Sequence, residues 1–119
     1  MPDIKIKLKE IMERKRMADA LRNEIEHYAL LGFEVPELTE KNQDLDATVK
    51  DIMIRVAELE DFGVKVRDID LGLIDFPALR FGTTVYLCWR LGESDIEFWH
   101  LVNEGFNGRK SLRAQVISP

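Results

Sequence analysis

The sequence is 119 residues long, 45% hydrophobic and 33% charged, which suits one globular domain with long exposed helices rather than a disordered chain. The net charge of −5 is unevenly placed, with 10 Lys/Arg against 15 Asp/Glu in residues 1–63 and 7 against 7 in residues 64–119, so nucleic-acid binding has no global electrostatic support. A single cysteine excludes an internal disulfide and fits a reducing, cytoplasmic setting, while the lack of any apolar run of about 18 residues argues against a membrane span.

In chain order, Ile4, Leu8, Ile11, Ala18, Leu21, Ile25 and Tyr28 mark one apolar stripe with charge between them. That spacing predicts a helix from Ile4 to about Leu31, with a weak place in the stripe at Arg14 and Lys15. Gly32 is placed as its C-cap, and Pro36 excludes a continuous helix through GFEVPE. A second helix is predicted from about Glu37 to Asp61, where Leu38, Leu45, Val49, Ile52, Val56 and Leu59 form a heptad seam and Gly63 ends the run. Asn42 falls on that seam, either to fix register or to mark a frayed first turn. Each helix would be roughly 40 Å long, and the short connection makes them an antiparallel hairpin. Two such helices leave much of each seam uncovered, so the hairpin is expected to dimerise in coiled-coil fashion.

From Val64 the period changes to alternation. VKVRDIDLG reads as a short strand or extended linker, and Leu73–Phe76 and Thr83–Leu91 as two strands joined around Arg80-Phe81-Gly82, by a two-residue turn or a four-residue loop of the same parity. A two-residue turn there sets Phe76 opposite Leu87, Ile74 opposite Trp89 and Asp75 opposite Cys88, with Arg90 diagonal to Asp75. A three-residue loop would instead turn Asp75 onto the apolar face. After Gly92, Ser94 with Glu97 resembles a capping box, predicting a final helix over Asp95–Glu104. Phe98, Trp99 and Val102 would be its buried arc, and Glu97, His100 and Glu104 its solvated side. The basic tail is expected to add an edge strand at Leu112–Ile117. The fold class is therefore α+β in one domain: a long antiparallel helical hairpin (1–63), then a cap (64–119) holding a small antiparallel β-hairpin of two or three strands and a short C-terminal helix.

The unusual side chains concentrate in the cap. Cys88 with His100 invites a nucleophile reading, but free cysteine is among the most buried residue types and no oxyanion device is visible. Glu97-x-x-His100 has the spacing of carboxylate-bridged metal sites, yet such sites need a second copy, so no metal is assigned. Arg90, Arg109 and Lys110 beside Trp89 and Trp99 suit a small anion, although both tryptophans also serve as core anchors. Phosphate-loop, dinucleotide, hydrolase-elbow and zinc-knuckle motifs are absent. No catalytic residue or cofactor is assigned, and the balance is against an enzyme. The candidate ligand-binding residues are Asp75, Cys88, Arg90, Glu93, His100 and Arg109.

DFPALRFGTTVYLCWRLGESDIEFWHLVNEGFNGR resembles the signature of an uncharacterised prokaryotic family, domain of unknown function 2203. Members look like a helix pair followed by a GLVDFP…VYLCW+LGE…WH…GF.GR segment. In this chain Gly72, Leu73, Asp75 to Pro77, Tyr86 to Trp89, Leu91 to Glu93, Trp99, His100, Gly105, Phe106, Gly108 and Arg109 match it, over about a third of the length. The family pattern also includes a segment resembling FTLEEANxLLP ahead of the first helix, and these 119 residues hold no counterpart to it. The resemblance implies no reaction, cofactor or catalytic residue. The expected function is a cytoplasmic, non-enzymatic interaction or scaffold protein, a homodimer through its hairpins with a binding cap. The alternative is a small-ligand or metal site around Asp75, Arg90, His100 and Arg109.

Overall fold

The computed structural model describes residues 2–32 and 35–112. The chain divides into two compact units, Met1–Glu58 and Leu59–Pro119. Helix α1 spans Pro2–Leu30 and helix α2 spans Val35–Glu60. Leu8, Ile11 and Ala18 of the α1 stripe are buried, and Ile4, Leu21, Ile25 and Tyr28 are half-buried. On α2 the seam behaves likewise, with Ile52 and Leu59 buried and Leu38, Leu45, Val49 and Val56 half-buried. Hydrophobic periodicity thus selects the inward face of each helix. Asn42 is exposed and its amide donates to the Leu38 carbonyl at 2.8 Å, so it does not pin the seam.

Ion pairs cross the hairpin in antiparallel order: Glu10 with Arg55 at 2.9 Å, Arg14 with Asp51 at 2.7 Å and Glu24 with Lys41 at 2.6 Å. Asp51 also accepts from Arg55, and the bonds from Arg55 and Arg14 hold its carboxyl below the usual carboxylate range. These pairs face solvent, so they set register more than they add stability. Gly32 and Gly63 close the two helices with positive φ of 77° and 90°, which glycine adopts without a Cβ clash.

The second unit is a five-stranded sheet of β1 (Lys65–Asp68), β2 (Leu73–Arg80), β3 (Thr83–Arg90), β4 (Phe98–Leu101) and β5 (Lys110–Ser111). Every strand pairs antiparallel with its sequence neighbour, in the order β1-β2-β3-β4-β5. Phe81 and Gly82 form the β2–β3 turn with φ of 51° and 76°. Positive φ at both central residues is the backbone that matches strand twist. The register follows from it: Phe76 faces Leu87, Ile74 faces Trp89 and Asp75 faces Cys88.

Two expectations are corrected. Among the described residues the sheet has five strands rather than two or three, VKVRD contributing β1 and Lys110–Ser111 β5. The predicted helix over Asp95–Glu104 does not form, because Phe98–Leu101 pairs with β3 as Leu101↔Val85, His100↔Tyr86, Trp99↔Leu87 and Phe98↔Cys88. Pairing gives the open edge of β3 its hydrogen-bond partners, and an aromatic-rich FWHL run suits a pleated surface. Val102 is consequently exposed, not part of a buried arc. The edge strand expected at Leu112–Ile117 lies outside the described residues except for Leu112, whose N–H donates to the Glu97 carbonyl at 2.8 Å.

Strand parity sorts the sheet into two faces. Ile74, Val85 and Trp89 share one and are buried to within 2% exposure. Asp75, Cys88, Tyr86 and His100 share the other.

Candidate functional site

Asp75, Cys88 and His100 converge on that second face from β2, β3 and β4. Their exposures are 1%, 0% and 3%. Asp75 and Cys88 are direct cross-strand partners, and His100 sits diagonal to Cys88 because it pairs with Tyr86. One carboxylate oxygen, the thiol sulfur and one ring nitrogen lie within 4.8 Å of one another.

Hydrogen bonds hold the trio from behind. His100 Nδ1 lies 2.8 Å from the Leu101 carbonyl oxygen. A carbonyl only accepts, so Nδ1 carries a hydrogen and Nε2 faces Asp75 Oδ1 at 3.0 Å. One proton is shared in that contact. The other carboxylate oxygen, Oδ2, accepts from Arg67 Nε at 2.8 Å. Arg67 comes from β1, where a register shift between Val66 and Asp68 interrupts regular pairing. Its guanidinium lies 4.7 Å from the Tyr86 ring centroid, and Tyr86 stacks obliquely on His100 at 5.6 Å. Guanidinium, phenol and imidazole thus form a layer around the buried carboxylate.

Burial pushes the Cys88 thiol up to about 11, the Arg109 charge only partly opposing it. The thiolate is the nucleophile, so this cysteine has little nucleophilic character near neutral pH.

A cavity of about 230 Å³ opens beside Asp75 and His100, lined also by Arg67, Val102, Glu104 and Phe106, while Cys88 lies buried behind that lining. Glu104 pairs with Lys110 at 2.7 Å and accepts from the Leu101 N–H, contacts that lower its carboxyl pKa, the Lys110 bond most.

The remaining candidate residues sit elsewhere. Arg109 donates to both oxygens of Glu93 at 2.9 and 3.1 Å and lies between the rings of Phe98 and Phe106, 3.9 and 4.5 Å from their centroids. The Glu93 carboxylate also accepts from the Arg90 N–H at 2.6 Å. Glu93 and Arg109 therefore clamp the connection between β3 and the Phe106–Gly108 turn. Arg90 is exposed, and the cation on Asp75 is Arg67. His100 and Glu97 do not share a solvated helix face, since His100 is a buried strand residue. Arg67 is not among the residues the sequence singles out, because the irregular pairing between Val66 and Asp68 leaves no clean alternation to assign its side.

No curated protein and no solved structure matches the chain. The geometry therefore stands beside a single kind of comparison, the family match. That match runs over residues 1–112 to the uncharacterised conserved proteins DUF2203, and the chain belongs to this family.

Proposed function

We propose that the protein is a ligand-binding module whose site is the cavity lined by Arg67, Asp75 and His100. The observation that carries this is a buried, hydrogen-bonded Asp75–His100 pair forming the wall of a 230 Å³ cavity. Buried ion pairs are weak stabilisers compared with apolar residues of the same volume, so stability alone does not account for one at a cavity wall. The ligand class is a small anion. Arg67 carries five N–H donors; it commits Nε to Asp75 and also bonds the Tyr86 hydroxyl, and its part-exposed guanidinium keeps further donors at the rim suited to carboxylate or phosphate. Lys110 pairs with Glu104 of the cavity lining and offsets its charge.

Titration of ¹⁵N-labelled protein with inorganic phosphate and with acetate tests this. Shifts should concentrate on the Arg67, Asp75, His100 and Glu104 region, and Arg67→Ala should weaken binding roughly tenfold or more, the worth of a charged hydrogen bond. Shifts that are absent, or scattered over the surface, would overturn the reading.

A second reading concerns the hairpin. Ile6, Met17, Met53 and Ile54 are each more than half exposed, which supports a cytoplasmic scaffold that self-associates through its helices. A purely monomeric protein in sedimentation equilibrium at micromolar concentration would remove that reading.

A further inference from the structure

We infer that Asp75 Oδ1, Cys88 Sγ and His100 Nε2 form a three-ligand site for a divalent zinc ion, with its fourth position open to the cavity. The inference shares the cavity with the anion reading and rests on it only for the occupant of that fourth position.

Four observations support it. First, the donor set is thiol, imidazole and carboxylate, the combination that zinc accepts and that magnesium or calcium, which prefer oxygen alone, does not. Second, the donors come from adjacent strands on one face of a hydrogen-bonded sheet, so backbone pairing places all three. Their mutual separations of up to 4.8 Å exceed the about 3.5 Å between ligands of a tetrahedral zinc by roughly an ångström, within reach of side-chain rotation.

Third, the outer bonds leave the inner lone pairs facing one another. The Leu101 carbonyl fixes the hydrogen on Nδ1, so Nε2 is the nitrogen presented to a metal, and Arg67 holds Oδ2, so Oδ1 is the oxygen presented. Zinc-ligating histidines and carboxylates are held from behind in this way. Fourth, the inner contacts are now made by protons: the thiol hydrogen and the one shared by Asp75 and His100. Zinc would displace both, leaving thiolate, neutral imidazole and carboxylate. Asp75 and His100 line the cavity, so a zinc held by them and by the buried Cys88 would keep room for water or an anion on that side, the arrangement of an open rather than a closed zinc site.

The experiment uses the full chain, stripped with a chelator and titrated with zinc against a chromogenic competitor. One zinc per chain, bound in the sub-micromolar range, is expected. Cobalt in place of zinc should give a near-ultraviolet thiolate charge-transfer band, and Cys88→Ser should abolish it. Arg67→Ala should weaken zinc binding about 10- to 100-fold while keeping the stoichiometry, the range found for outer-shell partners. Zinc-edge X-ray absorption on the unmutated protein reads one sulfur in the first shell without relying on any variant's folding. No stoichiometric uptake, no sulfur at the zinc, or a cobalt band that survives Cys88→Ser would overturn the inference. Phosphate shifts in zinc-free protein without zinc uptake leave the anion reading standing and this one refuted; zinc uptake without phosphate or acetate shifts does the reverse.

Discussion

Replacing Asp75 with alanine is expected to cost about 3–5 kcal/mol of folding free energy, the penalty for removing one partner of a buried ion pair. Of the groups left behind, the two that pair with its charge are not equivalent. Arg67 is 40% exposed and regains water, whereas His100 is 3% exposed and does not. The cost therefore falls mainly on the imidazole, which loses its Nε2 partner in the sheet interior. Asp75→Asn keeps the volume and one acceptor, so its cost should fall to about 1–3 kcal/mol. Replacing Asp75 and His100 together with leucine should recover much of the loss, since two apolar groups leave no unpaired charge. Urea denaturation of the four proteins measures this. An Asp75→Ala variant within about 1 kcal/mol of the parent would show that water already reaches the pair.

The other large effect is expected at Trp89. Its ring is 1% exposed and its indole N–H donates to the Glu93 carbonyl at 3.0 Å. Trp89→Ala removes a large buried ring and should destabilise by about 3–5 kcal/mol. Trp89→Phe refills most of the space but leaves the Glu93 carbonyl without its donor, so about 1–3 kcal/mol should remain. Trp99 is the control, because its indole N–H finds no acceptor among the described residues. Its ring is instead flanked by Arg80 at 5.1 Å and Lys110 at 5.0 Å, contacts that phenylalanine largely retains. Trp99→Phe should therefore cost clearly less than Trp89→Phe in the same denaturation series. Equal costs would mean that the Trp89 hydrogen bond contributes nothing.

The parts of this fold legible in the sequence are those with one dominant period. The α1 and α2 stripes were readable because a 3.6-residue repeat has a single inward solution. The β2–β3 register was readable because only one turn parity joins Ile74 to Trp89 and keeps Asp75 off the apolar face. The segment after Gly92 was not legible, since two periods fit it. At 100° per residue, Ser94 and Glu97 imitate a helix start and His100 falls beside Glu97 and Glu104. At 180°, Phe98 and His100 share one face, which brings the imidazole to Cys88 and Asp75. Local propensity does not decide between these; the unpaired edge of β3 does, and that is a tertiary fact. The same misplacement hid the trio, whose members look unrelated until β4 is a strand. Arg67 was hidden for another reason, as the bulge in β1 interrupts the alternation that would have assigned its side.

The strictly sequential sheet order bears on how this site comes into being. With each strand beside its chain neighbour, contact order within the sheet is low, and pairing proceeds by successive short loop closures. Asp75 and Cys88 are brought together by the two-residue turn, and His100 by a second closure across residues 91–97. The Asp75–His100 contact thus needs both closures, and its presence reports that three consecutive strands have found register.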